Sequence, residues 1–174
     1  MDLEYTTNPL CVNLFDMKVI KTKSLSHKQS FQINQLWNDE YPIKLKDRFP
    51  ILLDGVENYD HYIIEDHEHN VIAWAVDFEK EDEIRFSIIV DSKHKGKGFG
   101  SLLVDKLKSE NDLFFGWVID HNNDLKSNGE NYLTPIPFYL KHGFNIIHDE
   151  RIESEMIKAV KIIWSKKTPL TSDE

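Results

Sequence analysis

The stretch IIVDSKHKGKGFGSLLV, residues 88–104, constrains the fold more than any other part of the chain. An apolar run stops, a basic turn with glycines at 96, 98 and 100 follows, and apolar residues resume at once at helical spacing. That order dictates a strand, an open turn and a helix in immediate succession. Glycine lacks Cβ, so Gly96, Gly98 and Gly100 let the backbone take left-handed conformations and approach a ligand closely. The helix that starts here offers about four amides without intrahelical acceptors and roughly half a positive charge. Lys93, His94, Lys95 and Lys97 surround the turn. Phe99, Leu102, Leu103 and Leu107 form the helix's buried stripe, while Ser101, Asp105 and Lys108 face out. The combination suits a pyrophosphate.

The standard nucleotide loops do not fit. A Walker A loop needs G-x-x-x-x-G-K-S/T, and no such string occurs. The dinucleotide fingerprint G-x-G-x-x-G fails because Leu103 stands where the third glycine belongs after Gly98 and Gly100. A kinase loop is excluded by chain length and by the absence of HRD and DFG.

Composition narrows the classes further. A chain of 174 residues with 40% hydrophobic content fits one domain with a sizeable core. The net charge of −9 argues against a general nucleic-acid binder. No run approaches the apolar length of a membrane span, and MDLEYTTNPL lacks the layout of a signal peptide. The single cysteine, Cys11, allows no internal disulfide and no Cys-based zinc site. These features predict a cytoplasmic protein with no membrane and no nucleic-acid partner.

The rest of the chain divides around the glycine turn. Residues 1–16 read as an arm, 17–165 as the folded domain and 166–174 as a polar tail. MKVIKTKSL (17–25) predicts a first strand, and Ser26 or Ser30 can cap a helix through FQINQLWNDE. A second helical segment is expected over KLKDRFPILLDG, interrupted by Pro50 and ended by Gly55. Residues 61–91 read as three extended runs joined by EDHEHN and EKED, a pattern that pairs antiparallel. LFFGWVID is a further strand, then comes a long polar connection, HNNDLKSNGENYLT. A short helix, PIPFYLKHG, is opened by proline and ended by Gly143. FNIIHDERIE and MIKAVKIIWSK read as closing strands. The layout is α/β, more strictly α+β in its first half and strand–helix–strand in its second.

With these residues in place, the chain resembles the GNAT superfamily of acetyl-CoA-dependent N-acetyltransferases. Their strand ends in an apolar-x-Val pattern, followed after four residues by Q/R-x-x-G-x-G/A opening a helix. Here Ile88 and Val90 take the strand positions, DSKH is the spacer, and Lys95-Gly96-Lys97-Gly98-Phe99-Gly100 fills the loop, leading into Ser101. Lys95 departs from Gln or Arg: it keeps the charge and loses the planar fork. Downstream, PFYLKHGF (137–144) is similar to the family's F-Y-x-K-x-G-F helix, which aligns Tyr139 with the tyrosine placed near the thioester sulfur. Asn131 and Tyr132 fall near the slot of a family asparagine, and Pro135 replaces the small residue there.

The resemblance implies a single-domain, mixed and mostly antiparallel sheet flanked by helices. It implies acetyl-CoA as cosubstrate, bound by Ile88, Val90, Lys95, Gly96, Lys97, Gly98, Phe99, Gly100 and Ser101, with Tyr139 as general acid. The acceptor is then an amine on a small molecule or peptide, attacking the thioester directly. Glu83, on the strand leading into the turn, is the first candidate for general base, with Asp120 and His121 behind it. Glu40 is a candidate for recognising a cation. The alternative is a non-catalytic acyl-CoA-binding sensor or interaction domain of the same fold. A homodimer is compatible with exposed strands, and the long connection is a candidate wall of the acceptor pocket. The cluster His61, Glu65, Asp66, His67, Glu68 and His69 reads as solvated turn residues rather than a metal site. Trp74 and Trp117 read as core, and Trp37 fits either core or acceptor contact.

Overall fold

A computed structural model describes residues 17–167; Cys11, the predicted arm and the last seven residues of the predicted tail lie outside that range. The described residues form one mixed seven-stranded sheet in the order β1-β2-β3-β4-β5-β7-β6. β1 (Ile20–Thr22), β2 (Tyr59–Glu65), β3 (Val71–Lys80) and β4 (Glu83–Val90) pair antiparallel in sequence order. β5 (Leu113–Val118) lies parallel to β4, and β7 (Lys158–Ser165) inserts between β5 and β6 (Asn145–Glu153). The helices α1 (His27–Glu40), α2 (Phe99–Glu110) and α3 (Ile136–Lys141) complete the fold.

α1 begins in a reciprocal cap. Ser26 Oγ accepts from Gln29 N at 3.1 Å, and Gln29 Oε1 accepts from Ser26 N at 3.0 Å. The second predicted helix does not form. Pro42 and Pro50 each remove a donor and restrict the backbone, so the segment makes two 3-10 turns, Ile43–Leu45 and Phe49–Ile51. The first strand is also shorter than its pattern suggested.

The two sheet faces carry separate cores. On one, Phe86, Phe99, Leu103, Leu107, Phe114 and Tyr139 join under α2 and α3. Val104 is buried in that stripe and Leu102 only half-buried. On the other, Ile33, Leu36 and Trp37 of α1 pack on Ile63, Trp74 and Val76. Alternation along β4 sends Phe86, Ile88 and Val90 to the first face and Ile89 to the second. Trp74 is fully buried.

β4 and β5 share one register pair, Arg85 with Phe115, and none beyond it. Phe86 fills the space beside Gly116, where a Cβ would meet its ring at 2.6 Å. The sheet is therefore open between the ends of β4 and β5, and the cleft described next lies in that opening.

Candidate active site

A cleft of about 820 Å³ is lined by residues of α1, of β4 and of the start of α2. The glycine turn forms part of its wall. Asp91 Oδ1 accepts from Lys93 N at 2.9 Å and steadies a 3-10 turn over Ser92–His94. Gly96 (φ +77°) and Gly98 (φ +88°) then take left-handed conformations. Gly98 is the N-cap of α2 and brings no side chain to its first amides. The first helical bond runs from Leu102 N to Gly98 O at 3.0 Å. The amides of Phe99, Gly100 and Ser101 thus belong to the unsatisfied first turn, where anions are favoured.

Gly100 is required for a different reason. A Cβ there would stand 3.1 Å from the Phe138 ring, so α3 rests directly on the start of α2. His142 strengthens the join: its Nε2 is 2.9 Å from Ser101 Oγ and its Nδ1 is 2.8 Å from Phe138 O. A carbonyl only accepts, so Nδ1 carries the proton and Nε2 accepts from the Ser101 hydroxyl.

Of the residues singled out by sequence for the cofactor, Ile88, Val90, Lys95, Gly96, Gly98, Phe99, Gly100 and Ser101 line the cleft, as does Tyr139. Lys97 is exposed and lies outside the lining. Tyr139 is buried on its ring, against Phe86 at 5.7 Å and Phe144 at 5.2 Å between centroids. Burial, with Tyr41 and Tyr132 adding to it, holds its pKa well above the ordinary tyrosine value. The phenol stays protonated at neutral pH, and among the described residues no side chain or carbonyl hydrogen-bonds it.

Two further tyrosines, Tyr41 and Tyr132, line the same space. Tyr41 Oη lies 2.9 Å from Ser87 Oγ on β4, and its ring centroid is 6.3 Å from that of Tyr132. Tyr132 and Leu133 come from the long polar connection, so that segment does wall the cleft. Trp37 lines it too while donating from Nε1 to Leu45 O at 2.7 Å. Trp117, expected as core, is half-buried and lines the cleft.

The carboxylates are distributed differently from expectation. Glu83 opens β4, far from Val90, and is not among the lining residues. Lys161 donates to it at 2.6 Å and Arg85 at 3.3 Å. The Lys161 hydrogen bond holds its pKa below the ordinary carboxylate value against a smaller effect of burial, which suits an ion-pair partner better than a proton acceptor. Asp120 is clamped by Arg151 at 2.8 and 3.1 Å. His121 Nδ1 accepts from Asn123 N at 3.2 Å, and neither Asp120 nor His121 lines the cleft. Asn131 donates to Asn122 O at 2.7 Å and braces its own loop.

Glu40 does bind cations, but they are the chain's own. Buried at the end of α1, it accepts from Ser92 N at 2.8 Å, Ser92 Oγ at 2.6 Å, Lys95 Nζ at 3.1 Å and Lys126 Nζ at 3.2 Å. Burial alone would raise its pKa; the Ser92 bonds and the Lys95 charge outweigh that and hold it low. Lys126 is itself buried and comes from the long connection, which also docks through Lys44 and Asp124 at 2.8 Å. His61 is buried in β2, accepting from Trp74 Nε1 at 3.1 Å, apart from the exposed turn residues beside which it stands in sequence.

Sequence reasoning passed over Ser92, Lys126, Phe138 and His142. His142 could have been found, because it falls four residues after Phe138 on a helix that already carried Tyr139. Lys126 left no local signal.

A family model described as an acetyltransferase (GNAT) domain matches residues 57–146, just over half of the 174 residues. That segment holds β2 through β5, the glycine turn and α3. No curated protein matches the sequence significantly. Among solved structures, an aminoglycoside 6'-N-acetyltransferase complexed with coenzyme A is similar at 12% identity and TM-score 0.63, covering 87% of this chain and 98% of that one. A phosphinothricin acetyltransferase from Sinorhizobium meliloti, in complex with AcCoA, aligns at 13% identity and TM-score 0.54, covering 85% and 88%. The ribosomal-protein-S18-alanine N-acetyltransferase from Escherichia coli aligns at 16% and 0.55, covering 89% and 99%. At such identities the likeness concerns the fold.

Proposed function

The chain belongs to the GNAT acetyltransferase family, and on that premise we propose that it moves an acetyl group from acetyl-CoA to a primary amine by direct attack. One observation carries the reading: one cleft is lined both by the bare first turn of α2 and by Tyr139, whose phenol no described residue hydrogen-bonds. The cosubstrate supplies an acetyl thioester activated for transfer.

The chain's residues then divide the work. The first-turn amides of α2, with Lys95 nearby, bind the pyrophosphate through partial and full positive charge. Glycine at 96 and 98 brings no side chain into that approach. Main-chain groups of β4 between Ile88 and Val90, without a β5 partner in register, polarise the thioester carbonyl where negative charge develops. A neutral amine forms the new C–N bond as the C–S bond breaks. Tyr139 gives its proton to the departing thiolate, and the proton from the amine leaves to water. No carboxylate is assigned as base. The reading includes a cytoplasmic setting, supported by the charge and the lone cysteine.

The test is thiol release from acetyl-CoA across a panel of primary amines. Amine-dependent release supports transfer. Tight binding of acetyl-CoA with no release across the panel would support the sensor alternative and overturn the enzyme reading of this site.

A further inference from the structure

The carboxylate at the end of α1 gathers contacts from two separate parts of the cleft wall. Glu40 Oε1 accepts from Ser92 N at 2.8 Å and from Ser92 Oγ at 2.6 Å, just ahead of the glycine turn. Its Oε2 takes Lys95 Nζ at 3.1 Å and Lys126 Nζ at 3.2 Å. Lys95 opens the glycine turn, whereas Lys126 comes from the long connection that brings Tyr132 and Leu133 to the cleft.

The two lysines differ in freedom. The Lys126 side chain is 9% exposed and that of Lys95 58%. Neither meets a second carboxylate among the described residues. Two ammonium groups on one carboxylate oxygen leave the cluster with a positive charge in excess, and they repel each other at close range. Burial makes that imbalance costly. An anion arriving at the turn relieves it, and the half-exposed Lys95 is the cation free to move toward that anion.

Lys126 is joined firmly to the cleft wall. Its segment folds back on itself, with Leu125 bridged to Asn131. Lys126 N donates to Glu130 O at 2.8 Å, Gly129 N to Lys126 O at 3.0 Å and Tyr132 N to Asp124 O at 2.8 Å. Whatever tightens Lys126 on Glu40 therefore acts on Tyr132, whose ring lies 6.3 Å from that of Tyr41.

We propose that Glu40 is a positioning residue that couples the cosubstrate to the acceptor. When the pyrophosphate draws Lys95 away, the carboxylate holds Lys126 alone and more tightly, and the 124–132 hairpin seats Tyr132 against the space for the amine. This rests on the binding of acetyl-CoA at the glycine turn proposed above. The coupling is reciprocal, so an acceptor seated against Tyr132 strengthens cosubstrate binding by the same factor.

Hydrogen exchange on the full chain, with and without saturating coenzyme A, reads the hairpin through the bonded amides of Lys126, Gly129 and Tyr132. Calorimetry on the same samples measures coenzyme A binding. In the wild type, coenzyme A is expected to slow exchange over 124–132 by about fivefold or more. Lys95→Met removes the excess cation. Its hairpin is expected to exchange slowly without coenzyme A, which then changes the rate by less than about twofold. Lys95→Arg keeps the charge and should keep the wild-type response. The sign separates coupling from simple support, because loss of a merely stabilising salt bridge would speed exchange. Faster exchange in Lys95→Met would overturn the coupling. So would a full response to coenzyme A in that variant, the mark of direct contact, or no response in the wild type with coenzyme A bound; each leaves the cosubstrate site intact. No binding of coenzyme A to the wild type would overturn the reading of the glycine turn itself.

Discussion

Gly100 and Phe138 touch so closely that a methyl group on the glycine would stand 3.1 Å from the ring. That contact ties the glycine turn at the start of α2 to the helix that carries Tyr139. The spacing between the first-turn amides of α2 and the phenol is therefore set by packing between α2 and α3, with Ser101 and His142 bonded alongside at 2.9 Å.

Gly100→Val should uncouple the two. The added atoms force Phe138 off its seat, an overpacking cost of about 1–3 kcal/mol. We expect a lower melting temperature and at least ~10-fold weaker acetyl-CoA binding by calorimetry. Phe138→Ala in the same background opens space and should restore part of the binding; no recovery would mean that the contact does not set the spacing.

Gly98→Ala addresses conformation rather than space. At φ +88° an alanine is strained, by about 1–2 kcal/mol. Stability should fall by that amount in urea titration, with acetyl-CoA affinity falling as well. An unchanged denaturation midpoint would show that the turn does not need its left-handed N-cap.

Lys126→Met removes one of the two cations on buried Glu40. Ser92 and Lys95 remain, so the loss should be less than for an orphaned buried charge, on the order of 1–3 kcal/mol. Adding Glu40→Gln should recover some stability, because the half-compensated carboxylate is then gone. A double-mutant cycle in urea measures the coupling; additive losses would refute it.

His61 makes stability depend on pH. Burial drives its pKa from 6.5 down to about 4, with Asp60 opposing weakly, while Trp74 donates to its Nδ1. Its folded-state pKa lies below the unfolded one, so the unfolded chain binds the extra proton first. The stability is fully present above pH ~6.5 and is lost as pH falls toward ~4, up to about 3 kcal/mol. Melting temperatures between pH 4 and 7 should fall more steeply for the wild type than for His61→Gln. Parallel curves would contradict this.

The parts legible in the sequence were those that depend on neighbours in sequence. The glycine turn, the helix after it and the tyrosine helix were readable because Gly98, Pro135 and Gly143 act on their own backbone. The second predicted helix failed because two prolines weighed more than the apolar spacing of residues 44–55. Glu83 could not be placed, since its partner Lys161 is 78 residues away and only the insertion of β7 beside β5 brings the two together. Glu40 and Lys126, 86 residues apart, meet for the same kind of reason. The opening between β4 and β5 is a property of the sheet, and no local pattern encodes it.

The most direct test is kcat for Tyr139→Phe at saturating acetyl-CoA, with cofactor affinity measured on the same preparation. The phenol is the one proton donor assigned to the leaving thiolate, and general-acid catalysis contributes about 10²–10⁴-fold. Loss of kcat in that range, with acetyl-CoA bound within about twofold of wild type, is the predicted result. A variant that turns over at the wild-type rate would contradict the assignment of Tyr139 and the chemistry built on this cleft.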